Sequence, residues 1–386
     1  MNATIFDSQK ILFSLLFFLG RNKEHGFRKK CHPVLVLFRN FAPIIIQHAS
    51  IMKDSIRYKW NSGKPCKAWF FVKGFLKTAV PHQYYQWKKE RLLRQLEHRK
   101  DKAYIMERVA YYNKIQTPQA LPTETRHEHK GHYYVFLDQI RNFRPGTFHK
   151  AYYLDLQDAV RYFDRSLRIS YTPGDVYFTP SFPTLVKSRL LEEDNHHSVI
   201  LKLDKLRHFM FIDDRKTFAE KKDEAIFRGK IRLSRQREQF LQMYFDSSCC
   251  DCGVVDRCPN HPEWETPKKT IQEHLDYKFI LALEGNDVAS NLKWVMSSNS
   301  IAVMPRPTCE TWFMEGKLIP NYHYIELKND LSDLEERMQY YISHPHEAQQ
   351  IIEHAHEYVR QFMDDEREEL IQMLVMKKYL DYTSKT

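Results

Sequence analysis

Between residues 277 and 304 one apolar run, Phe279-Ile-Leu-Ala-Leu283, is followed by a stretch of helical spacing, Asn286 to Ser298. A second apolar run, Ser300-Ile-Ala-Val-Met304, comes next. Strand, helix and strand in that order pair in parallel, because the helix carries the chain back to the same edge. This fixes the expected class as α/β. Further strand candidates are Val34–Phe38, Tyr133–Leu137, Val199–Leu203, Phe209–Ile212 and Ala225–Phe227. They are short, rich in branched or aromatic residues, and bounded by polar positions. Leu331 to Ile342, Ala348 to Phe362 and Glu368 to Tyr382 carry apolar residues at three- and four-residue steps and read as helices, with Pro345 between the first two.

A chain of 386 residues exceeds one small core and fits two domains of about 150–200 residues. Its 42% hydrophobic content and only 11 glycines exclude a disordered or collagen-like chain. The net charge of +10 favours anionic partners: nucleic acid, phosphorylated substrates or an anionic membrane surface. Seven cysteines, four of them crowded between Cys249 and Cys258, do not make a secreted disulfide scaffold and point to a reducing cytoplasm. The run Ile11–Gly20 is shorter than the roughly 20 residues that span a bilayer and lacks a cleavage site, so it reads as a buried or interfacial helix. Residues 83–115 read as one amphipathic helix with a basic face, with Leu92, Leu93, Leu96, Ile105 and Val109 at helical spacing. That face is either a solvated surface or a contact for lipid headgroups and phosphorylated sugars. His127, His129 and His132 fall in a polar loop.

Three motifs carry candidate chemistry. In the first, Phe227-Arg228-Gly229 ends a strand and Ser234 stands as the N-cap of a following helix, with Arg228, Arg232, Arg235 and Arg237 around it. A capped helix start among arginines suits a diphosphate, and Gly229 permits a close or left-handed backbone. In the second, the strand 279–283 ends at Glu284-Gly285-Asn286, and Asp287-Val288-Ala289-Ser290 then open a helix. Ligands bind beyond the carboxyl ends of such strands. Ala289 and Ser290 allow close approach and Lys293 offers a charge for phosphate, while Asp287 also reads as a plain N-cap. In the third, Glu310 is placed to accept ribose hydroxyls, with Trp312 and Phe313 as core. Cys249, Cys250, Cys252, Cys258 and His261 have the composition of a zinc knuckle without its usual spacing; zinc ligands and free thiols are both open readings.

With these blocks in order, residues 165–365 resemble glycosyltransferase family 90, the capsule-associated and lipopolysaccharide-modifying group. The resemblance is carried by FRG at 227–229 with Ser234 and Arg237, YKFILALEGNDVASNLKWVMSSNS at 277–300, ETWFMEG at 310–316, HYIELKNDLSDLEE at 323–336 and YVRQF at 358–362; TLVKSR at 184–189 adds the bacterial branch. The resemblance implies a GT-B-like fold of two Rossmann-like domains facing a cleft. Residues 1–215 would bind the acceptor, 216–345 the nucleotide sugar, and helices in 346–386 would cross back to the first domain. It also implies an inverting transfer from a UDP-sugar without metal or other cofactor, in keeping with the lack of a DxD-type motif beyond Asp213-Asp214. Asp175, after the Pro173-Gly174 turn, is the candidate base, with Asp164 and Asp155 as rivals. Lys187 and Arg189 are candidates for phosphate or acceptor contact.

The expected partners are therefore a nucleotide sugar, a lipid-linked oligosaccharide acceptor and an anionic membrane surface, not nucleic acid. The expected location is the cytoplasmic face of the inner membrane, held peripherally. Two competing readings are a basic nucleic-acid-binding protein built around the cysteine cluster and an inactive scaffold with a transferase fold.

Overall fold

A computed structural model of the chain describes residues 66–121, 133–136, 150–176, 178–192, 194–231 and 234–384. The run 11–20, the candidate strand 34–38, the three loop histidines and Arg232 lie outside the described residues. Lys59–Thr386 form one compact unit. It begins with helices α1 (Lys67–Thr78), α2 (His82–His98) and α3 (Lys102–Tyr112). The single helix expected over 83–115 is thus two, broken at Arg99–Asp101. At about 100° per residue, an unbroken helix would place Ile105, Val109 and Tyr112 on the side opposite Tyr85, Leu92 and Leu96. All six are buried, and the break turns both stripes inward.

Strand β1 (Tyr133–Phe136), helix α4 (Lys150–Val160) and strands β2 (Arg168–Tyr171), β3 (Thr184–Val186), β4 (Ser188–Leu190) and β5 (Ser198–Ile200) follow. They make a four-stranded sheet in the order β1-β2-β3-β5, with β4 set apart. Helix α5 (Lys205–His208) leads out of it. The expected strand Phe209–Ile212 does not form. Its backbone pairs with no strand, and the Ile212 N–H donates to Ser297 Oγ at 3.0 Å instead.

Next come β6 (Lys222–Gly229), α6 (Arg235–Tyr244), β7 (Cys250–Val254), α7 (Ile271–His274), β8 (Tyr277–Leu281), α8 (Leu292–Val295), β9 (Ile301–Met304), β10 (Cys309–Thr311) and β11 (Ile325–Glu326). A parallel five-stranded sheet runs β11-β9-β8-β6-β7. Both faces are covered, as a parallel sheet requires. Ala225, Phe227, Phe279, Leu281, Ile301 and Val303 pack on one side with Phe240 and Leu241 of α6. Ile226, Ile280, Ala302 and Met304 face a larger core shared with Ile169, Leu185 and Val199 of the first sheet. Strands β10 and β4 form a separate antiparallel ribbon with Glu310 opposite Arg189.

Helices α9 (Leu334–Ser343), α10 (Pro345–Arg360) and α11 (Asp365–Thr383) complete the described chain, and Pro345 opens α10 at a position where its missing N–H costs nothing. Helix α11 returns to the first sheet: the Ser170 N–H of β2 donates to Tyr379 Oη at 2.8 Å. Glu368 of α11 pairs with buried Arg108 of α3 at 2.5 Å and accepts the Trp312 indole N–H at 2.6 Å. The Trp312 ring stacks on Tyr112 with centroids 3.9 Å apart.

The cysteine segment is strand and loop rather than a knuckle. Cys250 and Cys252 are buried on β7 beside β6, and the Cys252 thiol donates to Tyr244 O at 3.3 Å. His261 stacks on Trp264 and pairs with Glu263. Among the described residues, no group of three or more His, Cys, Asp or Glu is placed to hold a metal ion. Asp214, half of the Asp-Asp pair, is tied to buried Lys221 at 2.7 Å.

Candidate active site

The chain runs from β6 to β7 on one side of β6 and then crosses to β8 on its other side. The order therefore reverses between β6 and β8, and the crevice beyond the carboxyl ends of those two strands is the topological switch point, where such sheets take ligands. Gly229 ends β6 there, and Glu284, Gly285 and Asn286 follow β8. Ser234 joins the two sides. Its hydroxyl donates to Glu284 O at 2.9 Å and accepts the Arg237 N–H at 3.4 Å, so the start of α6 is stitched to the loop after β8.

Arg237 lies half-buried in this crevice. Its Nε and Nη2 donate to Leu283 O at 3.3 and 2.8 Å, and Nη1 donates to Lys230 O at 2.8 Å. Three of the five guanidinium hydrogens are accounted for, all on carbonyls rather than carboxylates. Burial pulls its pKa below the ordinary arginine value, with Asp287, Asp175 and Glu284 acting the other way. A Cβ at Gly285 would stand 3.2 Å from Nη2, so glycine at 285 makes room for this guanidinium. Gly229 has no left-handed backbone; a Cβ there would meet the Phe227 ring at 2.6 Å.

A second group of residues meets this loop from the first half of the chain. Gly174, at φ 97°, supplies a conformation that favours glycine and turns the chain into Asp175. Lys187, buried, follows β3 and reaches Asp175 Oδ1 at 2.7 Å and Asp287 Oδ2 at 2.6 Å. Ser188 Oγ also donates to Asp287, at 2.7 Å, and Asn286 Nδ2 lies 3.4 Å from Asp175. Asp287 is therefore a buried partner of Lys187, not an N-cap, and residues 286–291 bend and turn before α8 starts at Leu292. Burial raises the pKa of Asp287 above the carboxylate range despite Lys187. For Asp175, 32% exposed, burial acts in the same direction but is outweighed by Lys187, Arg207 and Asn286, which hold it below that range. Burial works against the Lys187 charge, and Asp287, Tyr152 and Asp175 together more than offset it.

The model of glycosyl transferase family 90 matches residues 199–382. The O-glucosyltransferase LpsA of Dichelobacter nodosus is 38% identical over 278 residues, covering 72% of this chain and 83% of that relative. This chain belongs to glycosyltransferase family 90. It is a glycosyltransferase, and the crevice holds residues that the family resemblance singled out.

The structure distributes those family residues unevenly. Asp175, Lys187, Ser234, Arg237, Glu284, Gly285, Asn286 and Asp287 come together. Glu284 braces the loop, accepting from Thr308 N at 3.1 Å and Thr308 Oγ1 at 2.5 Å; burial raises its pKa. Val288 and Ala289 are buried and Ser290 is exposed. Arg228 instead turns to Asp251 on β7. Lys293 is buried against Glu315, and Arg189 is buried against Glu310 at 2.7 Å, with Tyr111 Oη donating to the same carboxylate. A ligand would reach these three cations only by breaking an ion pair. Of the rival aspartates, exposed Asp164 caps its own turn through Ser166. Asp155 is fully enclosed; burial pushes its pKa up to about 7 against the pull of Lys205.

Sequence reasoning in this family missed a neighbouring cluster. Asp204, in a left-handed backbone at φ 58°, accepts from Tyr152 Oη at 3.1 Å and Arg207 Nε at 2.6 Å. This holds Arg207, 49% exposed, 3.8 Å from Asp175. Buried His208 lies beside them, its pKa driven well down by burial and by Lys293, Lys187 and Arg207. The basic KLRH segment at 205–208 is the signal that could have marked this cluster.

Proposed function

We propose that this glycosyltransferase moves a hexose from a UDP-sugar to a hydroxyl of a lipid-linked oligosaccharide of the lipopolysaccharide or lipooligosaccharide kind. The name of the Dichelobacter relative points to glucose as the sugar. The observation that carries the reading is the meeting of half-exposed Asp175 with Asn286 and Arg237 at the β6/β8 switch point. In this reading the GT-B arrangement holds. Residues 1–215 take the acceptor, 216–345 take the donor and 346–386 pack back, and the enzyme works peripherally at the cytoplasmic face of the inner membrane.

Transfer is one in-line displacement with inversion. Asp175 accepts the proton of the acceptor hydroxyl as its oxygen bonds to the anomeric carbon. The bond from that carbon to the diphosphate breaks, and its electron pair leaves with the diphosphate. The two N–H groups that Arg237 does not spend on carbonyls answer the growing charge, so that no metal is required. Arg207, anchored by Asp204, offers a second cation on the acceptor side. Lys293, Glu310, Arg189 and Arg228 hold these groups in place through their own ion pairs.

The test is turnover of a nucleotide-sugar panel with lipid-linked acceptor, with and without EDTA. One UDP-sugar should be consumed at a rate EDTA does not change. Asp175→Asn should lower kcat at least about 100-fold while donor affinity stays. Full turnover in that variant would remove Asp175 as the base.

A further inference from the structure

Helix α1, KAWFFVKGFLKT, buries none of its twelve residues, although seven of them are hydrophobic. Its seat is fixed at two points. A Cβ on Gly74 would lie 2.6 Å from Leu154 of α4, so the helix backbone rests on that side chain. Lys77 Nζ pairs with Asp158 of α4 at 2.9 Å. With Gly74 and Lys77 turned inward and about 100° between residues, Ala68, Trp69, Val72, Phe75 and Leu76 share the outward face. Trp69, Phe75 and Leu76 are 40%, 63% and 37% exposed. Soluble surfaces rarely leave a contiguous stripe of this kind uncovered.

The surroundings say what covers it. Residues 67–102 hold ten lysines and arginines against three acids, a surplus that Asp158 and Glu369 answer only in part, at Lys77 and Lys88. Exposed Trp87 of α2 adds an indole with the Arg91 guanidinium over it at 5.8 Å. Among the described residues, no helix is long and apolar enough to cross a membrane. An apolar stripe with tryptophan, on a short helix in a strongly basic segment, fits the boundary between headgroups and acyl chains of an anionic bilayer.

We propose that α1 lies flat on an anionic lipid bilayer, burying Trp69, Val72, Phe75 and Leu76 while nearby lysines and arginines reach the lipid phosphates. The inference rests on the lipid-linked acceptor of the preceding section for its purpose, but its test needs neither donor nor acceptor, so either reading can fail alone.

The full chain is floated with phosphatidylcholine vesicles, with and without phosphatidylglycerol, at low and high salt. Flotation should require phosphatidylglycerol and weaken with salt. The variant Trp69→Ser, Phe75→Ser, Leu76→Ser should lose at least about tenfold in partition while keeping the wild-type melting curve. In a parallel measurement, the fluorescence lost in Trp69→Phe should be the part quenched by brominated lipid in wild type, a readout that stands if the triple variant folds poorly. Three results would overturn the proposal: no flotation at low salt, unchanged flotation of the triple variant with an unquenched Trp69, or a wild-type dimer that the triple variant turns into a monomer.

Discussion

Lys187 shares one ammonium between two carboxylates, Asp175 and Asp287. The charge keeps the more exposed partner ionised, and a base must be ionised to work. Because the Asp175 pKa sits below the ordinary range, kcat/KM should stay level from neutral pH into the acid region before falling. Removing the ammonium by Lys187→Met leaves two carboxylates side by side, which raises their pKa values. The acid limb of the pH–rate profile should therefore move to higher pH; a limb that stays put would separate Lys187 from the base. Gly285 makes a narrower claim. In Gly285→Ala the new methyl, 3.2 Å from Nη2, pushes the Arg237 guanidinium by only a few tenths of an ångström against its carbonyl partners, so stability should change by less than about 1 kcal/mol. Donor affinity by calorimetric titration should fall about tenfold, and unchanged affinity would place Arg237 outside the donor site. At this scale the sequence was legible where a residue sits at a strand end. Glu284 to Asp287, Ser234 and Arg237 follow from that rule. It failed where a charge found a buried partner far along the chain. Nothing near Lys293, Glu310 or Arg189 announces Glu315, Tyr111 or the ribbon that closes over them.

Among elements, β6, β8 and β9 of the larger sheet were readable because each carries a short apolar run buried on both faces, whereas β11, only Ile325–Glu326, has none. Strand β7 escaped because cysteine and glycine, Cys250 to Gly253, fill its core positions. Helix boundaries were misread wherever bends and turns carry helix-compatible residues, as at 286–291, or wherever the apolar phase slips, as between α2 and α3. The element with the sharpest energetic test is α11. Its Glu368 answers Arg108, Lys202 and the Trp312 indole in a site closed to water. Removing one member of such a set strands the others. Glu368→Ala should cost about 3–5 kcal/mol in urea unfolding, whereas a loss below about 1 kcal/mol would mean that water reaches the cluster.

Seen whole, the described molecule has a core that runs from Tyr85 to Leu380 and joins the first sheet to one face of the second. The α/β class was evident from the order of apolar runs. The ribbon of β4 with β10 was not, since its pairing has no local pattern, and the crossing back of the last helices was expected from the family resemblance alone. A chain ending before residue 365 should therefore fail to fold rather than fold with reduced activity; soluble, cooperatively melting protein from that truncation would contradict this.

The pairing of Arg108 with Glu368, 260 positions apart, also has a consequence for the making of the protein. At about 5–20 residues per second, a ribosome leaves Arg108 without its counter-charge for roughly 13–52 seconds. For that interval α3 holds an unanswered cation on the face it must later bury. The nascent chain is then a client for chaperones throughout that interval, and synthesis that stalls before residue 368 yields a polypeptide marked for proteolysis.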